Sequence, residues 1–223
     1  MRQIFLDVET TGLNSAAGDR IVEVAALEVI NRRKTGQYFH RYLNPRRAIG
    51  SEAFKVHGLS EEFLRDKPCF ADIYQELLAF IRGAELLIHN AIFDTAFLDY
   101  ELALLGEPPL SSDGHQVTQI TDTLKIARAL RPGQRNGLSS LCKHYGISLA
   151  QREWHGALVD AGLLADVYLA MTRGQDSLSM TVQPSSVSMD NTFNEASIVV
   201  LHASEEELCA HQSYLERLPG HRW

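Results

Sequence analysis

Asp7-Val8-Glu9-Thr10-Thr11-Gly12 closes the apolar run Ile4-Phe5-Leu6, and the two patterns overlap at Asp7. Ile4 to Val8 is a short, nearly continuous apolar segment with one acid in it, the pattern of a buried strand. Residues two apart on a strand share a face, so Asp7 and Glu9 project together. Neighbouring carboxylates repel and raise one another's pKa, and a buried strand carries that penalty only with compensation. A divalent cation is one compensation, and an all-oxygen ligand set favours hard ions such as Mg²⁺ or Mn²⁺. Taken alone, the stretch fits equally well a strand end with two solvated acids and a Thr-Gly turn.

Working outward, the polar loop Asn14 to Asp19 leads to Ile21–Ile30, rich in β-branched residues, and Gly36–Leu43 alternates with the aromatics Tyr38, Phe39 and Tyr42. With the first strand these form a three-stranded meander turning at the loop and at Asn31–Thr35. Pro45 ends it, and Ala53–Leu59 reads as a connector before the helix-start signal Ser60-Glu61-Glu62. Phe70, Ile73, Leu77, Leu78 and Ile81 recur at helical spacing up to Gly83. Glu85–His89 reads as a short strand, Phe93–Leu105 as a helix stopped by Gly106 and Pro108-Pro109, and 106–117 as a loop. Helices are expected at Thr123–Leu130, Leu138–Tyr145 and Gly156–Met171. A meander followed by alternating helices and strands indicates an α/β fold with a mixed sheet.

The 223 residues are 45% hydrophobic and 22% charged, ordinary for a globular chain. No apolar run is long enough to span a bilayer and no signal-peptide pattern follows Met1-Arg2-Gln3, so no membrane role is expected. Cys69, Cys142 and Cys209 are odd in number and widely spaced, which argues against a disulfide framework and for the cytoplasm. Of the net charge of −7, the stretch from Gly174 onward contributes seven acids and two bases. The rest is nearly balanced, and basic overall once four acids are assigned to metal, which is compatible with nucleic acid at one cleft.

At Gly174 the composition shifts to Ser, Gln, Pro, Thr and Asp, the signature of a linker. Beyond it, Ile198-Val199-Val200-Leu201 is strand-like, and Ser204-x-x-Glu207 is a capping box opening a helix to Leu218 before Pro219-Gly220. About 25 residues cannot bury a core of their own, so this strand and helix suit a partner's surface, or fold back on the body.

Two further acids sit where they need explaining. Asp94, in His89-Asn90-Ala91-Ile92-Phe93-Asp94, opens a helix just after a strand, where the helix dipole favours negative charge; a plain cap would look the same. Asp160, in Trp154-His155-Gly156-Ala157-Leu158-Val159-Asp160, lies among Leu158, Val159, Leu163 and Leu164, so its charge calls for a partner. His155 precedes that helix. Together, Asp7-x-Glu9-Thr10-Thr11-Gly12, Phe93-Asp94 and His155-x-x-x-x-Asp160 resemble the histidine branch of the DEDD 3′→5′ exonucleases. Glu52-Ala53-Phe54-x-Val56-His57-Gly58, the run from His155 to Met171 and the Glu205-Glu206-Glu207 tail are similar to the proofreading (epsilon-type) subunits of bacterial DNA polymerase III.

That resemblance implies an RNase H-like mixed sheet flanked by helices over residues 1–173, a linker at 174–196 and a polymerase-binding tail at 197–223. It implies two divalent cations, Mg²⁺ or Mn²⁺: Asp7 bridges them, Glu9 and Asp160 complete one site, Asp94 serves the other, and His155 is the general base. It places the terminal nucleotide against Thr10, Leu13, Glu52, His57 and Phe93, with Leu13 wedging and Phe93 stacking; as residues alone, Glu52 reads equally as a surface acid, His57 as a turn histidine and Phe93 as core. Implied partners are a single-stranded or mispaired DNA 3′ end, the polymerase (alpha) subunit through the tail, a sliding clamp through Gln175, Leu178 and Met180 of Gln175–Met180, and a small accessory, theta-like subunit. His89 reads as a satisfied strand-end histidine, Asp122 as a helix cap, and Arg128, Arg131, Arg135 and Lys143 as a solvated face or a hold on the DNA backbone. A stand-alone exonuclease acting on RNA ends would share the acids but have little use for the linker and tail.

Overall fold

The computed structural model describes residues 1–150, 154–173 and 203–216, and the chain divides into two units, Met1–Ser179 and Met180–Trp223. The first unit is built on a five-stranded sheet in the order β3-β2-β1-β4-β5. Strands β1 (Arg2–Thr10), β2 (Ile21–Ile30) and β3 (Arg33–Tyr42) form the expected antiparallel meander. β4 (Glu85–Ile88) runs parallel to β1, and β5 (Gln119–Asp122) parallel to β4. The mixed sheet foreseen from element order is therefore observed. Its helices are α1 (Ser51–His57), α2 (Glu61–Leu64), α3 (Phe70–Ile81), α4 (Ala91–Leu104), α5 (Thr123–Leu130), α6 (Leu138–Tyr145) and α7 (Ala157–Met171).

β1 is buried on both faces, which is why it reads as a continuous apolar run. Ile4, Leu6 and Val8 face a core with Phe70, Ile73, Leu77 and Ile81 of α3 and Phe97, Leu98 and Leu102 of α4. Phe5 faces the other way, against Leu164 and Ala165 of α7, its ring 5.5 Å from that of Tyr168. Each such fully buried side chain contributes roughly 1.5–3 kcal/mol of transfer free energy. By alternation Asp7 and Glu9 belong to the α7 face. That parity turns them toward α7, which carries Asp160.

Local signals set most boundaries. Ser60 caps α2 by accepting from Phe63 N–H at 3.1 Å, and Asp122 caps α5 by accepting from Leu124 N–H at 2.9 Å. α5 and α6 start and stop as read from the sequence. β3 starts at Arg33, inside the turn expected at Asn31–Thr35, because Arg33 and Lys34 pair with Ile30 and Val29; two further elements differ in kind. Residues expected to be a connector form α1, whose Phe54 and Val56 are exposed and so leave no apolar stripe to detect. β5 follows the expected loop; its four residues include one apolar side chain, Ile120, and its place comes from pairing with β4.

In the second unit, α8 (Glu205–Glu216) opens with the expected capping box: Ser204 N–H donates to Glu207 Oε2 at 2.8 Å, and Glu207 N–H to Ser204 Oγ at 3.3 Å. The linker at 174–196, the clamp-peptide residues Gln175, Leu178 and Met180, the run 198–201 and Pro219-Gly220 lie outside the described residues. Among the described residues no helix is long and apolar enough to cross a membrane.

Candidate active site

Three chain segments meet at the carboxyl end of β1. The strand supplies Asp7 and Glu9, then turns through Thr11-Gly12 against Asp19: Thr11 Oγ1 donates to Asp19 Oδ1 at 3.0 Å. A Cβ on Gly12 would meet Asp19 Oδ2 at 2.3 Å, so a side chain there would displace the carboxylate that Thr11 holds. From the opposite layer, the first turn of α4 brings Asp94, which is 3% exposed and accepts from Val8 N–H at 3.1 Å. From the α7 layer comes Asp160, in the first turn of that helix and also buried. His155, on the loop ahead of α7, has Nδ1 3.5 Å from Asp160 Oδ2. One ligand atom each from Glu9, His155 and Asp160 lies within 4.8 Å of the others.

The electrostatics follow from this crowding. Burial, then the charges of Asp94, Glu9, Asp160 and Glu23, push Asp7 well above the usual carboxylate range. Burial pushes Asp94 up to about 8, against the pull of hydrogen bonds from the backbone amides of Val8 and Asp94 itself. A cluster of acids that destabilise one another, with Asp94 and Asp160 buried and Asp7 and Glu9 half-buried, open to a histidine, is a donor set suited to divalent cations.

The His155 loop is anchored on α1. His155 N–H donates to the Val56 carbonyl at 3.1 Å, and a Cβ on Gly58 (φ +70°) would meet the Trp154 ring at 3.0 Å. The helix that the sequence did not announce is thus what holds the histidine beside Asp160.

Next to the acids lies a cleft of about 510 Å³ whose walls include Glu9, Thr10, Leu13, Glu52, His57 and Phe93. Leu13 is 85% exposed at its rim, whereas the Phe93 ring leans on Phe97 with centroids 5.0 Å apart. Glu52 is exposed and pairs with Lys55 at 2.7 Å, a surface contact. His57 is buried; its Nδ1 accepts from Leu59 N–H at 3.0 Å, the turn role open to it in the sequence, while Nε2 has no hydrogen-bond partner among the described residues. Burial lowers its pKa, with the Thr10 backbone and Glu23 pulling the other way. His89 is satisfied by Thr123 Oγ1 and the Asn136 carbonyl, each at 3.0 Å, and belongs to the scaffold.

Sequence reasoning passed over Glu23. It is 2% exposed, lies directly opposite Glu9 in the β1–β2 register and bonds His40 Nε2 through Oε1 at 2.7 Å. It also lines a polar cleft of about 440 Å³ with His57, His155 and Gly156. The available signal was an acid inside the β-branched run Ile21–Ile30, pairing on one face with a motif residue.

Fold and site together define a nuclease: the sequence pattern of the exonuclease (RNase_T) family matches residues 4–168, and the chain belongs to that family. Its relatives narrow the class. It is 48% identical to DNA polymerase III subunit epsilon of Salmonella typhimurium over 96% of this chain and 92% of that protein, and 45% identical to the Escherichia coli subunit over the same shares. At that likeness it is a member of the epsilon-subunit branch. Among solved structures, the zinc-bound complex of Escherichia coli exonuclease I with single-stranded DNA matches with a TM-score of 0.70 at 21% identity, over 79% of this chain and 41% of that one. The nuclease domain of 3′hExo, a DEDDh member bound to rAMP, matches with a TM-score of 0.65 at 15% identity, over 78% of this chain and 92% of that one. These two share the fold.

Proposed function

We propose that the chain is the 3′→5′ DNA exonuclease that removes mispaired nucleotides from the primer terminus as a subunit of a bacterial replicative polymerase. The observation that carries this is the meeting of Asp7, Glu9, Asp94 and Asp160 with His155 beside a cleft of about 510 Å³. Asp7, Glu9 and Asp160 would hold one divalent cation, Mg²⁺ or Mn²⁺, and Asp7 with Asp94 a second. When bound, such ions neutralise charge developing on the phosphate and acidify water.

The protein's own groups do the rest. His155 takes the proton of the attacking water; an imidazole whose ordinary pKa is near 6.5 suits that step at neutral pH. Its backbone bond to Val56 keeps the ring within reach of the acid cluster. Thr10, Leu13, Glu52, His57 and Phe93 receive the terminal nucleotide, with Leu13 prising it from its neighbour and Phe93 offering a ring face. A frayed, mispaired end enters more readily because less stacking and pairing must be broken.

In this reading residues 1–173 are the catalytic body, 174–196 the tether carrying the clamp peptide Gln175–Met180, and 197–223 the grip on the polymerase (alpha) subunit, with a theta-like accessory subunit as a further partner. The setting is the cytoplasm, which suits three free cysteines. The test is degradation of single-stranded and 3′-mismatched DNA with and without Mg²⁺, by the whole chain and by Asp160→Ala. Cation-dependent removal of the mismatch, lost in the variant, supports the reading; a chain inert on every 3′ end with every ion overturns it.

A further inference from the structure

In a chain of net charge −7, residues 123–150 contain no acid and five bases: Lys125, Arg128, Arg131, Arg135 and Lys143. Elsewhere Arg2, Arg20, Lys34, Arg41, Arg47 and Lys55 each hold a carboxylate. None of the five has a carboxylate within 4.0 Å among the described residues, and Arg128 and Arg135 are exposed. Arg128 lines a cleft of about 650 Å³ with His89, Asn90, Gly133, Gln134 and Gly137.

This cleft is built, and it reaches the residue that precedes α4. His89 ties the α5–α6 loop to β4 through the Asn136 carbonyl at 3.0 Å. Asn136, itself buried, donates from Nδ2 to the Arg131 and Gln134 carbonyls at 3.1 and 3.0 Å, which closes the loop into a fixed turn. Asn90 is the residue before α4, and Phe93 and Asp94 lie in that helix's first turn. The nucleotide-sized cleft reaches the same turn at Phe93. The two clefts therefore adjoin the start of α4, where Asp94 sits.

We infer that the α5–α6 segment, through Arg128 and Arg135, carries the phosphate backbone of the substrate strand on the 5′ side of the nucleotide being removed. The inference rests on the exonuclease reading above. If the terminal nucleoside fills the first cleft, the remaining phosphates leave over another wall. The wall by His155 includes the buried acid Glu23; the cleft by Asn90 is lined by Arg128, with exposed Arg135 in the same loop between lining residues Gln134 and Asn136, and its nearby acid, Asp122, is engaged by the Asn90 and Leu124 amides. A polyanion takes the second.

The test compares a single-stranded DNA dodecamer with a dinucleotide, which occupies the first cleft and the acids but does not reach the segment. Each single-strand phosphate contact contributes about 0.7 to the slope of log KM against log salt. The double variant Arg128→Ala/Arg135→Ala is expected to lower that slope by about 1.4 and to raise KM for the dodecamer roughly tenfold at low salt, with kcat unchanged. Turnover of the dinucleotide stays as it was, and Arg128→Lys/Arg135→Lys retains the slope. An unchanged slope and KM in the Ala pair, parallel loss on the dinucleotide, or failure of the Lys pair would each overturn the inference. A wild-type chain inert on both substrates would instead sink the exonuclease reading beneath it.

Discussion

Val8 N–H donates to Asp94 Oδ1 at 3.1 Å, so the strand that presents two of the acids also grips the acid arriving from the opposite helical layer. The bond fixes where α4 begins relative to β1, and it seats a carboxylate in a place where burial opposes its charge.

Stability without metal should fall with rising pH. Asp94 has a folded-state pKa of about 8 against an ordinary 3.8, and Asp7 is raised too. Groups shifted upward stabilise the fold below their unfolded pKa, and that contribution is lost as pH climbs through the folded value. Between about pH 4 and 8 the melting temperature in chelator should therefore drop, and Mg²⁺ should restore it most at the alkaline end. Asp94→Asn keeps the acceptor for Val8 and removes the charge; melting in chelator at pH 8 should rise while activity disappears. Equal pH dependence in wild type and variant would contradict this.

His155→Ala should lower kcat by about 10²–10⁴, the usual range for a general base, with little change in KM. Its ring is 48% exposed and its anchor to Val56 is a backbone bond, so thermal melting should scarcely move. A matching loss of stability would mean that the ring supports the fold instead.

Leu13 and Phe93 separate binding from folding. Leu13 is 85% exposed, so Leu13→Ala should leave melting unchanged and weaken binding of the 3′ end, read as a higher KM on DNA. Phe93→Ala should do both, because the ring packs on Phe97; loss of a base-stacking ring costs roughly 1–3 kcal/mol of binding. Unaltered KM in both variants would remove them from the nucleotide site.

Glu23 and His40 form a pair in which one partner is almost wholly buried. His40→Ala leaves that buried carboxylate, opposite Glu9, without its imidazole hydrogen bond, and stranding a buried polar group typically costs about 1–3 kcal/mol. At roughly 2–4 °C per kcal/mol for a domain of this size, calorimetry should show a drop, and Glu23→Gln/His40→Ala should recover part of it. Failure of the double variant to recover would place the stabilisation elsewhere.

Removing residues 174–223 should leave exonuclease activity and body melting intact, because the four clustered acids and the sheet core all lie before residue 172. The same truncation should abolish co-purification with the polymerase subunit. Equal recovery by both chains would refute the assembly role.

By itself the sequence determined whatever depends on neighbours along the chain. The bounds of α5 and α6 follow from caps and glycines, the parity of Asp7 and Glu9 from strand alternation, and the nuclease class from three acid motifs. Tertiary structure alone decided what depends on packing between distant segments. It brought Asp94 to Val8 from one layer and His155 to Asp160 from the other, made α1 a wall and an anchor, and set buried Glu23 opposite Glu9. It also set Arg128, from an acid-free run of the sequence, in a cleft that reaches Asn90 at the start of α4. Periodicity reports which face is apolar; it carries no information about which other face will be pressed against it, and like charges gather only where a folded core holds them together.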